Sequence, residues 1–399
     1  MQANTHDSLY DCAVIGGGAG GMTAAIALHR LGQRVVVLEA NDRVGKKLLA
    51  SGNGRCNLTN TELSARHYNR PDFVAPILAR YGTRQIVAYF YELGLLTRTE
   101  NGRVYPYSIR ATNVLNVLLR ALQDVRVECN ATVTRIEQAG DAFRLICNDA
   151  AYRARRVILA SGSDATFGRR SHGLYAPFGH RCTDTAPSIC AMRCKDIVGA
   201  QGVRTQAAMR VRAAGLEIAA AQGELLFKDD QLSGMLAFEI SSQCARAARQ
   251  GKALDGEIDF VPDLDEKELE RFLLHCDDAL QPLRGVLQSA IARNVIGSCP
   301  TDRSLLMSPA KARSIAHACK HYGVRLEMPD SVANAQALCG GLECDDFDPN
   351  TLQSKRCAGL WAIGESLDVD GDCGGYNLHW AWASGLAAAQ AIGEMRRAR

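Results

Sequence analysis

The chain has 399 residues, 47% hydrophobic and 22% charged, with a formal net charge of +3. That length exceeds what one core usually holds, so two or three domains are expected. The near-balanced charge argues against a nucleic-acid partner, which normally requires a clear basic excess or stripe.

The 15 cysteines include no CxxC pair, and residues 1–11 contain no apolar leader. They read as free thiols of a reducing, cytoplasmic setting rather than as disulfides or structural zinc ligands. The longest uncharged run, 12–28, is broken by glycines and short for a membrane span, so no membrane partner is expected. Arg396, Arg397 and Arg399 close the chain and read as a complement to a helix dipole.

The first predicted element is a strand over 10–15, YDCAVI, running into GGGAGG. Gly16, Gly18 and Gly21 satisfy G-x-G-x-x-G, a helix is expected over 22–31, and RVVVL at 34–38 is a second buried strand ended by Glu39. Each position has a physical task in an α/β dinucleotide-binding unit. Gly16 permits the tight turn, and Gly18, with Ala19 and Gly20 beside it, lets backbone approach a pyrophosphate. Gly21 lets the helix pack close to the strand, and the helix N-terminus faces the phosphate charge. Glu39, followed by Ala40, accepts hydrogen bonds from ribose hydroxyls and repels a 2′-phosphate.

A simple NAD dehydrogenase would usually continue with further strand–helix units. Here ANDRVGKKLLASGNGRCNLTN follows at 40–60, which suits a long cofactor in an extended groove. Lys46 and Lys47 are candidates for the pyrophosphate. Ser51, Gly52, Gly54, Arg55, Cys56 and Asn57 are candidates for contacts along the cofactor, with loop bracing the other reading of Arg55 and Asn57.

A helix is expected over 111–122, then short strands over 125–128, 132–136, 143–147 and 152–153. A strand over 156–160 returns to the main sheet and ends at Ser161, Gly162 and Ser163. From about 187 the composition changes. Short strands are expected within 193–239, helix over 263–292 with Asp263 and Asp265 as start signals, and helix over 310–322 after Pro309. LWAI at 360–363 is a short buried strand ending on Gly364 and Glu365, an acid placed to meet ribitol hydroxyls. GDCGGYNL then sets Gly374, Gly375, Tyr376, Asn377 and Leu378 at the start of a helix running to about 397. The positive end of that helix favours negative charge on a bound cofactor, which in a flavin would be the electron density at N1 and O2.

Four stretches occur in order across nearly the whole chain: VGKKLLASGNGRCNLTN, NGRVYPYSIRATNVLNVLLRAL, GELLFKDDQLSG and GLWAIGESLDVDGDCGGYNLHWAWASG. With the opening unit they resemble the YhiN-like flavoproteins, also described as aminoacetone-oxidase-type or BaiN-like. The resemblance implies FAD and an α/β fold with a discontinuous Rossmann-type FAD-binding domain, of the two-domain flavoprotein class. That domain is expected over 1–190 and 339–399. The inserted substrate-side region is expected over 191–338, a β domain with a helical subdomain at about 262–323. The resemblance also implies adenine near the backbone of Val133 and cofactor contacts from Ala160, Ser161 and Gly162. Ser163 departs from the family, whose members tend to carry a second glycine there.

The expected function is FAD-dependent hydride transfer, to or from flavin N5, on a small organic substrate. No second G-x-G-x-x-G module is present, so NAD(P)H stays open only as a transient electron donor at the flavin. An RNA-modifying flavoprotein and a non-catalytic flavin-binding protein are the alternatives.

The candidates for chemistry are Cys56 and His379. Cys56 lacks the second cysteine of a disulfide reductase, which favours a packing role. His379, one turn into the last helix, is a candidate acid or base. His172, Tyr175 and His180 lie in a loop-rich stretch that is a further candidate lining. His317 and His321 have metal-ligand spacing on a helix but no third-ligand motif, so no metal site is expected. Asp368, Asp370 and Asp372 resemble a calcium loop without its distal acid, and read as a cofactor-proximal turn.

Overall fold

The computed structural model describes residues 4–148, 150–163, 172–275, 278, 280–299, 306–332 and 335–397. Arg399, and the side chains of Arg396, Arg397 and His172, lie outside the described residues. The described residues divide into two units, Met1–Thr185 with Ala337–Arg399, and Ala186–Gln336.

In the first unit, the β-branched run Val35–Leu38 is buried at every position, as a strand covered on both faces must be. It is the fourth strand of a five-stranded sheet ordered Leu360–Ala362, Val157–Leu159, Cys12–Ile15, Val35–Leu38, Arg126–Glu128. All neighbours pair in parallel, so every strand ends at the same edge. The strand expected over 10–15 is divided at Asp11. Cys12–Ile15 belongs to this sheet. Asn4–Tyr10 instead joins a four-stranded sheet with Ala150–Ala154, Ala142–Ile146 and Arg135–Ala139. The helix expected from 22 starts earlier, at Ala19–Arg30, taking in the last glycines of the motif. Two helices that the periodicity did not mark, Pro71–Arg80 and Thr83–Glu92, cover the core around Ile77, Ile86 and Phe90.

The second unit carries its own core and a six-stranded antiparallel sheet. Its order is Met192–Arg193, Gln231–Ser233, Leu216–Lys228, Arg204–Ala213, Leu254–Asp259, Tyr322–Leu326. Arg193 and Glu327 exchange backbone hydrogen bonds of 2.8 and 3.0 Å, which joins the two edges and closes the sheet on itself. Closure removes the exposed edges that invite aggregation. The short strands expected over 193–239 are in fact a hairpin of 10 and 13 residues followed by helix Met235–Arg249. That helix buries Ala, Ser and Cys rather than large apolar residues, so its hydrophobic stripe is faint in sequence.

The helix expected over 263–292 is three pieces, Glu266–Leu273, Leu280–Val286 and Ser289–Ser298. Asp265 caps the first, accepting from the Glu268 N–H at 2.8 Å. Gln288, extended at ψ 144°, opens the third. The helix expected over 310–322 is Pro309–Lys320, and Gly323 lies inside the following strand rather than stopping the helix. Every cysteine among the described residues is a free thiol. No described helix is long and apolar enough to cross a membrane.

Candidate functional site

Three parallel strands end side by side at Gly16, Ala160 and Gly364, the edge at which open α/β sheets bind ligands. The motif glycines divide by what surrounds them. Gly16 has φ 107°, and a Cβ there would stand 2.5 Å from the Ala160 carbonyl oxygen. At Gly21 a Cβ would stand 1.9 Å from the Gly16 carbonyl oxygen. These two glycines serve the fold. A Cβ at Gly18, however, would have no protein atom within 4 Å. The space that Gly18 keeps open is therefore not needed for packing. An open backbone of this kind is what the approach of a pyrophosphate would require.

Glu39 is buried at the end of its strand. Its Oε2 accepts from the Gly17 N–H at 2.7 Å, and its Oε1 accepts from the Asn41 backbone and side-chain N–H groups at 2.8 and 2.6 Å. The Ala131 N–H donates to the Glu39 carbonyl at 2.9 Å, which sets Val133 close to the same strand end.

The opening helix, Ala19–Arg30, packs along the closing helix, Tyr376–Arg397. A Cβ on Gly20 would stand 3.0 Å from the Ala381 carbonyl oxygen, one on Gly385 2.7 Å from the Gly20 carbonyl oxygen, and one on Gly393 2.8 Å from Leu31. Contact thus advances in the same direction along both chains. The helices run parallel, with both N-termini at one end. Neither carries an acid in its first turn. Two sets of first-turn N–H groups and two positive dipole ends therefore serve the same side of the unit.

The closing turn is built from non-local partners. Gly374 and Gly375 have φ 136° and 99°. Asn60 Nδ2 donates to the Gly374 carbonyl at 3.0 Å. Asn377 clamps Gly371 through two bonds of 2.9 Å. Tyr68 donates to the Tyr376 carbonyl at 2.9 Å, and the His67 ring stacks on Tyr376 at 4.3 Å. Gly364 is fixed from the same helix: its N–H donates to Ser384 Oγ at 3.0 Å and its carbonyl accepts from Trp380 Nε1 at 3.2 Å. Asn57 is only 8% exposed, and its Oδ1 has no hydrogen-bond partner among the described residues. A buried orphan acceptor beside Gly375 is what a ligand donor would satisfy.

Glu365 sits in a side-chain cluster drawn from three segments. Lys47 Nζ lies 2.5 Å from its Oε2 and 2.9 Å from Ser163 Oγ, while Ser163 Oγ donates to the same carboxylate oxygen at 2.8 Å. Ser163, which departs from the family pattern, thus supports Glu365. Gly162 donates its N–H to Ser366 Oγ at 3.2 Å, and Ser161 precedes it on the same loop.

The loop that follows Lys47 holds Gly52, Asn53, Gly54 and Cys56 at φ 54°, 56°, 80° and 57°. Two of these are non-glycine residues in the left-handed region, which costs about 1–2 kcal/mol each. Arg55 turns away to Glu100 at 2.8 Å and lies over the Tyr105 ring at 4.6 Å. It braces the loop. Lys46 likewise pairs with Asp42.

The two candidates for proton or electron chemistry are buried in structural roles. The His379 Nε2–H donates to the Tyr81 carbonyl at 2.9 Å, and Nδ1 accepts from Thr59 Oγ1 at 2.8 Å. Burial lowers its pKa to about 4, so it stays neutral and joins segments rather than moving protons. Burial raises the Cys56 thiol to about 12, which keeps it protonated and a poor nucleophile. His180 is buried between the Tyr175 carbonyl at 3.2 Å and Ser354 Oγ at 2.8 Å, and Tyr175 donates to the Trp361 carbonyl at 2.7 Å, so both are core residues. Asp368 and Asp372 are engaged by Arg70 at 2.7 Å and His67 at 3.1 Å, which braces this turn.

Sequence reasoning passed over Asn60, Ser366 and Ser384. Their partners lie 314, 204 and 20 residues away, and no local spacing marks them.

The open approach at Gly18, the two parallel helix N-termini and the orphaned Asn57 oxygen fit FAD. The profile of the HI0933-like protein Rossmann domain matches residues 10–391. The chain is 32% identical over 402 residues to a 3-dehydro-bile acid delta(4,6)-reductase of Clostridium scindens, covering 96% of this chain and 98% of that protein. It is 25% identical over 408 residues to a ribosomal RNA dihydrouridine synthase of Haemophilus influenzae, covering 95% and 97%. Among solved structures it is similar to a 3-ketosteroid delta1-dehydrogenase of Sterolibacterium denitrificans, with TM-score 0.49 and 14% identity over 97% of this chain and 100% of that one.

Proposed function

The chain belongs to the HI0933-like Rossmann family and is a FAD-dependent oxidoreductase; on that premise we propose that it reduces a carbon–carbon double bond conjugated to a carbonyl in a small, steroid-like molecule. The observation that carries the substrate class is the full-length similarity to a reductase whose name specifies double bonds beside a 3-oxo group. When bound, FAD supplies a reversible two-electron carrier.

The chain's own residues hold and orient it. The Gly16–Gly21 turn and the first turn of Ala19–Arg30 receive the pyrophosphate, and Glu39 receives ribose hydroxyls. Glu365, kept in place by Lys47 and Ser163, receives ribitol hydroxyls. The turn at Gly374–Gly375 and the first turn of Tyr376–Arg397 set N–H groups and a positive dipole end against the electron-rich edge of the ring system. Asn57 offers its buried amide oxygen to a ligand donor. NAD(P)H is proposed as a transient electron donor, because the sequence holds no second dinucleotide module.

A second reading, reduction of uridine in ribosomal RNA, is favoured by one observation, the relative of that name at 25% identity. It also ends in saturation of a double bond conjugated to a carbonyl. An anaerobic assay separates the two. FAD is expected to co-purify, to bleach with NADH or NADPH, and to be reoxidised by a 3-oxo-4-ene steroid. Reoxidation by a ribosomal RNA fragment but not by the steroid replaces the first reading with the second. Failure with both removes the proposed substrate class.

A further inference from the structure

In the inserted unit, His317 stands on helix Pro309–Lys320 and His321 follows at its C-terminal cap, with ring centroids 4.6 Å apart. Glu266, in the first turn of Glu266–Leu273 and 51 residues before His317, faces both rings. Its Oε1 lies 3.2 Å from His317 Nδ1 and its Oε2 3.6 Å from His321 Nε2. One ligand atom from each of the three residues falls within 4.8 Å of the others. On the far side, His321 Nδ1 lies 3.3 Å from Glu257 Oε1 on strand Leu254–Asp259.

The expectation of no metal rested on the lack of a third ligand in the sequence around the histidines. Folding supplies one. The His321 ring thus stands between two carboxylates, with Nδ1 toward Glu257 and Nε2 toward Glu266. Carboxylates facing ring nitrogens call for a shared cation, and a divalent metal ion is one that all three side chains can bind at once. Zinc bonds of about 2.0–2.2 Å place tetrahedral ligand atoms about 3.3–3.6 Å apart; the two histidine–carboxylate separations, 3.2 and 3.6 Å, are near this, and small side-chain rotations would bring the three ligand atoms, which lie within 4.8 Å, onto one ion. Glu257 then takes the part of the outer carboxylate that fixes a metal-bound histidine's tautomer and orientation.

We propose that His317, His321 and Glu266 form a divalent transition-metal site, with zinc the ion that two imidazoles and one carboxylate favour. The side chains are 65%, 40% and 38% exposed, so the remaining coordination positions open to water and binding is reversible. The ion links helix Pro309–Lys320 to helix Glu266–Leu273 and acts as a staple within this unit.

The test is titration of the full-length flavoprotein with Co2+, followed by displacement with Zn2+, with the visible d–d bands of cobalt as the readout. One zinc-displaceable equivalent is expected in the wild-type chain. H317A and H321A should each weaken it by at least about tenfold, and E257Q by about tenfold through loss of orientation. Zinc should raise the melting temperature of the wild-type chain and not that of H317A. All of these side chains are partly exposed, so the variants are expected to fold. Free thiols offer a rival site, and the histidine variants separate the two. Equal affinity in wild type, H317A and H321A overturns the proposal, as does absence of binding at sub-millimolar metal.

Discussion

The two glycine turns proposed to hold the cofactor are built by different means. The opening turn is set mainly by close backbone packing: Gly16 against the Ala160 backbone and Gly21 against Gly16, with one side-chain bond, from the Gly17 N–H to Glu39. The closing turn depends instead on polar side chains: Asn57 and Asn60, from a segment more than 300 residues earlier, beneath Gly374–Gly375, and Trp380 and Ser384 of the following helix on Gly364. A turn made by its own backbone is fixed once the strands pair. A turn held by distant side chains forms only when the whole unit is assembled, and it should be the more sensitive to pH and to single polar substitutions.

The largest effect should come from the opening turn, where two glycines three positions apart should fail differently. Gly18→Leu leaves the fold intact, because nothing lies within 4 Å of a Cβ there, yet it should reduce bound FAD to near zero. Gly21→Leu places a side chain 1.9 Å from backbone and should prevent folding. Flavin absorbance per chain, read beside a thermal melt, checks both. Full FAD retention in Gly18→Leu removes the assigned pyrophosphate approach and with it one side of the contrast.

Next in size is a pH effect confined to the closing helix. His379 has its pKa lowered to about 4 in the folded chain. The unfolded chain binds the proton near the ordinary histidine value, so stability should fall as pH drops from about 6.5 to 4, by at most about 3 kcal/mol from this residue. Above that window the residue contributes no slope. Denaturant unfolding of wild type and His379→Asn at pH 7 and pH 5 checks this, and an unchanged difference between the two pH values breaks the claim that the closing turn carries the pH sensitivity.

Asn60→Ala should have a smaller effect. It removes the donor to the Gly374 carbonyl and the acceptor of the Glu62 N–H, at a cost of about 1–3 kcal/mol. The loss should appear as a lower melting temperature with weaker FAD binding. A melting temperature equal to wild type would mean that the closing turn, like the opening one, is held by its backbone.

The same division decides what was legible in the sequence. The opening motif, Val35–Val37 and Glu39 sit within one strand–helix–strand stretch, so spacing alone exposes them. The parallel order of Leu360–Ala362 beside Val157–Leu159 follows from no local pattern, although the glycine and acid after each strand mark their ends. Its place in a glycine loop points Arg55 toward the cofactor, whereas Glu100, 45 residues further along the chain, and the Tyr105 ring hold it outward. His379 looked like an acid or base because a helix start exposes side chains in isolation. Thr59 and Tyr81 bury it. Helix Met235–Arg249 escaped because small residues carry little hydrophobic signal even when they pack tightly. Glu266 was invisible as a partner of His317 for the same reason as Asn60: the contact is long-range.

The smallest expected effect tests the residue that links the two turns. Cys56 closes the left-handed loop that runs from the opening segment to Asn57, beneath the closing turn. Its thiol is buried and raised to about 12, so it has almost no thiolate at neutral pH, and nucleophilic or disulfide chemistry would need that thiolate. Cys56→Ser keeps the size and the φ of 57°, and exchanges a weakly polar group for a hydroxyl that must find an acceptor. A modest loss of stability, about 1 kcal/mol, is expected with FAD content and turnover close to wild type. The decisive comparison is between turnover and flavin content in one preparation. If turnover collapses while FAD stays bound, the thiol takes part in the reaction, and the loop between the two turns is more than a cradle.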